Sequence, residues 1–99
     1  MIDLLDIQKR VYQNKINKGF NVTDIYLEFC LTQAELSEAF EAYLKKQDNL
    51  GEELADVAIF LLGISELLDI NLEQEIIRKL EKNDKRKYMK KDGVLIRED

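Results

Sequence analysis

Four carboxylates occur in two pairs of equal spacing near the middle of the chain. Glu35 and Glu38 form the first pair, and Glu53 and Asp56 form the second. Residues three apart lie on the same face of an α-helix, so each pair can direct two carboxylates at one ion. Oxygen ligands without His or Cys favour a hard cation, Mg²⁺ or Mn²⁺, over zinc. Because magnesium commonly binds phosphate oxygens as further ligands, the pattern also indicates a phosphorylated substrate.

The residue types that are missing narrow the chemistry further. The chain has no His and a single cysteine, Cys30. Without His, the usual Ser-His-Asp and Cys-His nucleophile systems, His-ligated zinc and Glu-x-x-His di-iron sites are excluded. One cysteine forms no intrachain disulfide and is typical of a reducing compartment. Any reaction must therefore use carboxylates, Lys or Arg, Tyr, Asn and a hard metal ion.

A basic segment lies near the C-terminus of an otherwise acidic chain. Residues 78–91 contain eight Lys or Arg, whereas the whole chain has a formal net charge of −5. On a helix, Lys79, Asn83 and Arg86 would share one face. Cations near a helix C-terminus are favoured by the helix dipole, so most of this segment is expected to be solvated surface. The functional hypothesis is that this one face holds a polyphosphate, with Asn83 fixing its orientation.

Length and composition predict one helical, cytoplasmic domain. The chain has 99 residues, no proline, 45% apolar and 35% charged residues, a balance typical of a folded globular protein. The acidic net charge argues against binding to DNA or RNA, which needs a basic face. The first residues lack the basic and then apolar order of a signal peptide. The longest apolar run, residues 57–64, is too short to cross a bilayer, so no membrane partner is expected.

Periodicity and cap residues predict four helices. The first covers about residues 3–18, and the second begins within 21–24 and ends near 46. The third covers about residues 49–69, and the fourth covers about 71–88. Gly19 is expected to end the first helix, and Asn49 with Glu52, and Asn71 with Gln74, match the capping-box spacing. In the tail, Asp92-Gly93 predicts a turn, and the apolar run beside it is either a strand or an interface arm. Short connections favour an up-down four-helix bundle.

The apolar patterns predict which faces are buried. The second helix has two apolar stripes on roughly opposite faces, which implies packing on a second subunit as well as on its own core. One stripe contains Ile25, Phe29, Thr32, Leu36, Phe40 and Tyr43, and the other contains Leu27, Leu31, Ala34, Glu35, Glu38 and Ala42. In the third helix, Glu53 and Asp56 head the most apolar stripe, which continues through Val57, Phe60, Ile64 and Leu67. Both acids are therefore expected to point inward.

Antiparallel packing of the second and third helices would bring the two acid pairs together. Several buried like charges are costly unless a cation lies between them. Against this, a single Glu-x-x-Glu pair is usually only a solvated helix face. The two pairs here border apolar stripes on adjacent helices, and this context favours a metal site.

Together these motifs resemble the all-α nucleoside triphosphate pyrophosphohydrolases of the MazG-like superfamily. The family signature is Glu-x-x-Glu, a gap of a dozen to two dozen residues, and then Glu-x-x-Asp. This chain has Glu35-Leu-Ser-Glu38 and Glu53-Leu-Ala-Asp56 with a gap in that range. The resemblance extends over residues 34–43 and 52–88 and includes the Lys-Gly-Phe at 18–20. It covers about residues 14–93 in all.

The resemblance implies a single MazG-like domain over residues 1–99 with an oligomeric four-helix-bundle fold. It implies a homodimer or homotetramer whose active site lies near a subunit contact. The implied activity is Mg²⁺-dependent hydrolysis of a nucleoside triphosphate, standard or modified, to the monophosphate and pyrophosphate, for house-cleaning of the nucleotide pool. The implied metal ligands are Glu35, Glu38, Glu53 and Asp56. Glu38, or Glu35, would also orient or deprotonate the attacking water, and the implied phosphate-binding residues are Lys79, Asn83 and Arg86, with Tyr88 in addition.

Departures from the family and two alternatives remain open at this point. There is no Trp to sandwich the base, and the aromatic substitutes, Phe20, Phe40, Tyr43 and Phe60, are each expected in the core. Ser37 stands where many relatives have glycine. One alternative is a catalytically inactive bundle of the same fold that acts as an interaction or regulatory protein, in the manner of an antitoxin. A di-iron oxidase is the second, and the missing His argues against it.

Overall fold

The structure, a computed structural model, describes residues 2–98 and contains four α-helices followed by a small two-stranded sheet. The helices are α1 (Leu4–Lys18), α2 (Ile25–Leu44), α3 (Leu50–Leu67) and α4 (Leu72–Lys85). The strands are β1 (Tyr88–Lys91) and β2 (Val94–Arg97). The prediction of a mostly helical chain with four helices is confirmed, and the tail is a hairpin.

Most of the predicted helix ends are confirmed by their caps. Gly19 has a left-handed backbone with φ of 70°, and its N–H donates to carbonyl groups in the last turn of α1. The Asp24 side chain accepts from the Leu27 N–H at 3.1 Å, and the Asn71 side chain accepts from the Gln74 N–H at 3.1 Å. Each bond satisfies a donor that the first turn of a helix leaves free.

One predicted cap and one predicted boundary are wrong. Asn49 precedes α3 without a side-chain cap bond because its backbone, with ψ of 17°, is not extended. Its Nδ2 donates instead to Glu53 Oε1 at 3.2 Å, so the capping box with Glu52 does not form. Helix α4 ends at Lys85 and not near Tyr88, since Arg86 is already extended with ψ of 139°.

The hairpin follows from the turn predicted at Asp92-Gly93. Both residues have positive φ, 53° and 80°, as a two-residue type I′ hairpin turn requires. The register pairs Lys91 with Val94 and Tyr88 with Arg97. The right-handed twist of the strands is matched by this turn, which explains why Asp-Gly lies at the tip.

Helix α3 is central and packs against both α1 and α2, while α4 lies beside α1. The side chain of Gln8 in α1 forms hydrogen bonds to α3 and to the start of α4. Its Nε2 donates to the Ile70 carbonyl at 2.7 Å and to Glu66 Oε1 at 3.0 Å, and its Oε1 accepts from the Leu72 N–H at 3.3 Å. Gly63 is buried where α3 meets α1, and a Cβ there would lie 3.0 Å from Lys15 Cε.

The buried face of α2 lies between its two apolar stripes and includes one small residue from the edge of each, Thr32 and Ala42, which corrects the expected burial. The buried residues of α2 are Glu28, Thr32, Ala39 and Ala42. Small residues at 39 and 42 allow the close approach of α3, and the large side chains point to either side of the contact. Phe40 and Tyr43 are 62% and 66% exposed. With Phe20 also exposed and Phe60 half-buried, the expectation that all four aromatic residues lie in the core is wrong for three of them.

A single copy leaves much apolar surface uncovered. Although all of α4 is described, none of its residues is buried, and every residue of the hairpin is exposed. The radius of gyration is 17.0 Å, against about 13 Å for a compact chain of this length. In the described part of the chain, no helix has the length and apolar character to cross a membrane.

Candidate metal and phosphate site

The α2–α3 contact brings three of the four predicted carboxylates together. One oxygen each from Glu35, Glu38 and Glu53 lies within 4.8 Å of the other two. These three residues are called the acid cluster. Glu35 and Glu53 are half-buried and Glu38 is exposed. Asp56 is half-buried one turn further along α3, where its charge acts on both Glu35 and Glu53.

Local packing explains this convergence. Ala39 is buried on the face of α2 that contacts α3, and Glu35 lies one turn before it on the same face. A small side chain at a helix contact allows the two backbones to come close. One carboxylate oxygen of Glu35 and one of Glu53 are therefore buried at this contact.

Two carboxylate oxygens in the acid cluster are buried and accept no hydrogen bond from the described residues. Glu35 Oε2 and Glu53 Oε2 are inaccessible to solvent and have no hydrogen-bond partner among the described residues. The pKa of Glu35 is raised, first by desolvation and then by the Glu38 carboxylate. Desolvation, followed by the charge of Glu38, likewise raises the pKa of Glu53. Buried anionic oxygens of this kind are costly unless a cation or donor satisfies them.

The donor set fits a hard divalent cation. Glu35, Glu38 and Glu53 present only oxygen atoms, and Asp56 lies outside this group although its charge acts on Glu35 and Glu53. Mg²⁺ and Mn²⁺ prefer such ligands, and neither soft Cys sulfur nor His nitrogen is near. The two orphaned oxygens are the structural reason to expect a cation at this point.

The predicted phosphate-binding residues also cluster, with one correction to their placement. Arg86 Nη1 donates to Asn83 Oδ1 at 3.1 Å, and Arg86 lowers the pKa of Lys79 more than any other group does. Arg86 and Tyr88 do not lie on the face of a helix, because α4 ends at Lys85. Arg86 caps the helix, and Tyr88 begins β1. The cluster forms because the half-buried Arg86 folds back toward Asn83.

The hairpin adds a cation that the sequence had not indicated. Arg97 pairs with Tyr88 in the sheet, and its charge contributes to the lowered pKa of Lys79. Lys79, Arg86 and Arg97 are called the basic cluster. The Asp92-Gly93 turn could have revealed Arg97 from the sequence, because a two-residue turn there places residue 97 opposite residue 88.

Comparison with models of protein families, with curated proteins and with solved structures gives no match to this chain. The MazG-like resemblance therefore depends on the acid pairs and their surrounding sequence. What the geometry contributes independently is the convergence of three acids and the separate clustering of cations.

The sequence also gave no indication of a buried ion pair between α1 and α2. The Lys15 ammonium contacts the Glu28 carboxylate, whose residue is 1% exposed. Asn21 Nδ2 donates to the other oxygen of Glu28 at 3.1 Å. The Lys15 ammonium also lies 5.6 Å from the centre of the Phe60 ring. No periodicity signal could have found this pair, since Lys15 and Glu28 lie on different helices and outside the apolar stripes.

A cleft next to this ion pair is large enough for a nucleoside. Its volume is about 650 Å³, within the range of small-molecule sites. The side chains that line it include Arg10, Gln13, Asn14, Asn17, Phe20 and Phe60. Phe60 follows Glu53 by about two turns of α3, roughly 10 Å along the helix axis, so the cleft lies on the same helix as one member of the acid cluster.

Proposed function

We propose that this chain is a nucleoside triphosphate pyrophosphohydrolase that requires Mg²⁺ and works as a homo-oligomer. The observation that carries the proposal is the pair of buried, unpartnered oxygens of Glu35 and Glu53 beside the carboxylate of Glu38. A hard cation between these carboxylates would satisfy both buried oxygens. A nucleotide site also needs cations for the phosphate chain and an apolar surface for the flat base. The basic cluster can bind the phosphates, and the cleft lined by Phe20 and Phe60 can bind the base.

The reaction proposed is attack of water on the α-phosphorus, with cleavage of the α–β phosphoanhydride bond. When bound, Mg²⁺ neutralises charge on phosphoryl oxygens and lowers the pKa of a coordinated water. Glu38 is the exposed member of the acid cluster, so its carboxylate can accept a hydrogen bond from the attacking water and take its proton. Glu35, Glu53 and Asp56 hold the cation.

The remaining residues position the substrate. Lys79 and Arg86 offset the charge of the departing pyrophosphate, and Asn83 is held by its hydrogen bond from Arg86. Tyr88, two residues after Arg86, is 53% exposed and can donate its hydroxyl to a phosphate oxygen. In the cleft, Phe20 and Phe60 offer ring faces to the base, and the amides of Gln13, Asn14 and Asn17 offer hydrogen bonds.

A panel of standard and modified nucleoside triphosphates, assayed for pyrophosphate release with and without Mg²⁺, tests the proposal. We expect the monophosphate and pyrophosphate in equal amounts, and only with the metal. We also expect Mg²⁺ to raise the unfolding temperature. If no nucleotide is turned over and Mg²⁺ leaves the unfolding temperature unchanged, the enzyme assignment fails.

One observation favours a second candidate, a catalytically inactive interaction protein of the same fold. More than twenty large apolar side chains are exposed among the described residues, a surface that a binding module would use. This candidate predicts no turnover in the nucleotide panel and no response to Mg²⁺. The two orphaned acidic oxygens favour the enzyme, because an interaction module gains nothing from them.

A further inference from the structure

The cleft between α1 and α3 has a buried charged side chain in its wall. Lys15 lines the cleft, although the residue is only 8% exposed. Its aliphatic stem passes over α3 at Gly63, where a Cβ would lie 3.0 Å from Lys15 Cε. Its ammonium then reaches the buried carboxylate of Glu28 in α2. This ion pair holds the ammonium at a fixed position beside the cleft.

The Lys15 ammonium keeps one N–H donor that has no partner among the described residues. An ammonium carries three donors and no acceptor. One donor binds Glu28 Oε1, and a second binds the Asn21 carbonyl at 3.4 Å. The other oxygen of Glu28 accepts from Asn21 Nδ2 at 3.1 Å, so the carboxylate is held in place as well. The third donor of Lys15 is therefore available to a ligand in the cleft.

The Phe60 ring determines which part of a flat ligand meets this donor. The centre of the ring lies 5.6 Å from Lys15 Nζ, and both residues line the cleft. Because aromatic rings stack in offset arrangements, a base placed against Phe60 has its edge within reach of the ammonium. A carbonyl oxygen at that edge can accept a hydrogen bond from Lys15. An amino group there would present a donor to a donor.

The charged residues in the rest of the cleft also favour a carbonyl-bearing base. None of the residues that line the cleft is Asp or Glu, so no carboxylate is present to accept from an amino group. Arg10 is a second lining residue whose side chain only donates. The amides of Gln13, Asn14 and Asn17 can donate or accept, so they fit either kind of base. Discrimination between the two kinds therefore falls to the cations.

We propose that the cleft selects nucleobases with a keto oxygen at the position where cytosine and adenine have an amino group, and that Lys15 is the residue that discriminates between them. Uracil, thymine and hypoxanthine belong to the favoured class. The inference rests on the proposed function, since it names the base of the triphosphate that is hydrolysed. A hydrogen bond to a charged group changes affinity by about 10- to 100-fold. A base with the amino group loses that bond and leaves the buried donor unpaired.

Binding of nucleoside monophosphates in EDTA tests the selectivity without any reaction. UMP and CMP form one matched pair and IMP and AMP form another, because the phosphate and sugar are the same within each pair. By NMR titration of the unmodified protein we expect the keto nucleotide to bind about 10-fold or more tightly. 4-Thiouridine monophosphate, whose sulfur is a poorer acceptor, should bind more weakly than UMP. A ratio near one or a reversed preference in a pair that binds, or no binding by any of the four, would overturn the inference.

A double variant tests whether Lys15 is the discriminating residue. Lys15→Met with Glu28→Gln removes the donor without leaving a buried charge unpaired, and Met keeps the unbranched stem. We expect the ratio of UMP to CMP affinity to fall toward one. Lys9→Met, an exposed position of α1 outside the cleft lining, is the control and should keep the normal ratio. If Lys15 only supports the fold, both nucleotides bind the double variant more weakly and the ratio stays unchanged, which would refute its role.

Turnover of the matching triphosphates separates this inference from the proposed function. With Mg²⁺, we expect kcat/KM for UTP to exceed that for CTP by about 10-fold or more. If UMP is preferred over CMP although no triphosphate is hydrolysed, the selectivity of the cleft stands and only the enzyme assignment fails. If UTP and CTP are hydrolysed with equal kcat/KM, the enzyme assignment stands and the selectivity fails.

Discussion

Glu35 on α2 and Glu53 on α3 come together at the contact of their helices, and each has its Oε2 atom buried without a hydrogen-bond partner among the described residues. Desolvation and neighbouring carboxylates raise the pKa of both groups. The pair therefore destabilises the metal-free protein at neutral pH and is suited to bind a cation.

Replacing single members of the acid set should abolish turnover and leave the helices intact. We expect Glu38→Gln and Asp56→Asn each to lower kcat/KM by about 100-fold or more, since lost metal-site residues cost at least that order. Glu41→Gln, one turn from Glu38 on an exposed part of α2, is the matched control and should retain the normal rate. A variant with near-normal kcat/KM would remove its residue from the site.

The raised pKa values predict how stability depends on pH without divalent cations. Above the ordinary carboxyl pKa of 4.5, the folded protein keeps protons on Glu35 and Glu53 that the unfolded chain has lost. The contribution of these groups to stability is therefore largest at acidic pH and is lost as pH rises through the raised pKa values. In EDTA, the Glu35→Gln protein should unfold a few degrees higher than the unmodified protein at pH 7, and the difference should vanish near pH 4.

Mg²⁺ should reverse this ranking. Because the cation binds only the folded acid cluster, it stabilises the unmodified protein by mass action. It should raise the unfolding temperature of the Glu35→Gln protein much less. Equal shifts in both proteins, measured by calorimetry at one protein concentration, would show that Glu35 does not bind the cation.

The ion pair between Lys15 and Glu28 is predicted to be structural. Glu28→Gln leaves the buried Lys15 ammonium without its counter-ion, which should lower the free energy of unfolding by about 3–5 kcal/mol. The exposed pair of Lys45 with Glu41 provides the comparison, and Glu41→Gln should lower the free energy of unfolding far less than Glu28→Gln does, because solvent screens an exposed pair. Urea unfolding at constant protein concentration measures both, and similar losses for the two variants would refute a special role for the buried pair.

Two glycines in α3 should respond to alanine in opposite ways. A Cβ at Gly51 meets nothing within 4 Å, so Gly51→Ala should stabilise the helix by up to about 1 kcal/mol. At Gly63 the new Cβ would lie 3.0 Å from Lys15 Cε, and Lys15 is held by Glu28. Gly63→Ala should therefore cost about 1–3 kcal/mol. If both variants are stabilised, α1 and α3 are not packed as closely as the structure shows.

Local features of the sequence predict the helices well. Gly19, Asp24 and Asn71 lie at helix ends as expected, because a cap depends on residues only two or three positions away. The capping box predicted at Asn49 fails for an equally local reason. Its backbone is not extended, and its side chain is engaged by Glu53, so a matching spacing was not sufficient to form the box.

Sequence patterns are enough to predict the four helices, the hairpin turn and the spacing that places two acids on one face of α2 and two on one face of α3. These depend on helical periodicity and on the backbone preferences of single residues. Three features could not be predicted in this way: the face that α2 buries, the contact of Lys15 with Glu28, and the approach of Arg97 to Lys79. Each of these depends on contacts between distant segments, and those are set by which surfaces can approach closely and not by local periodicity.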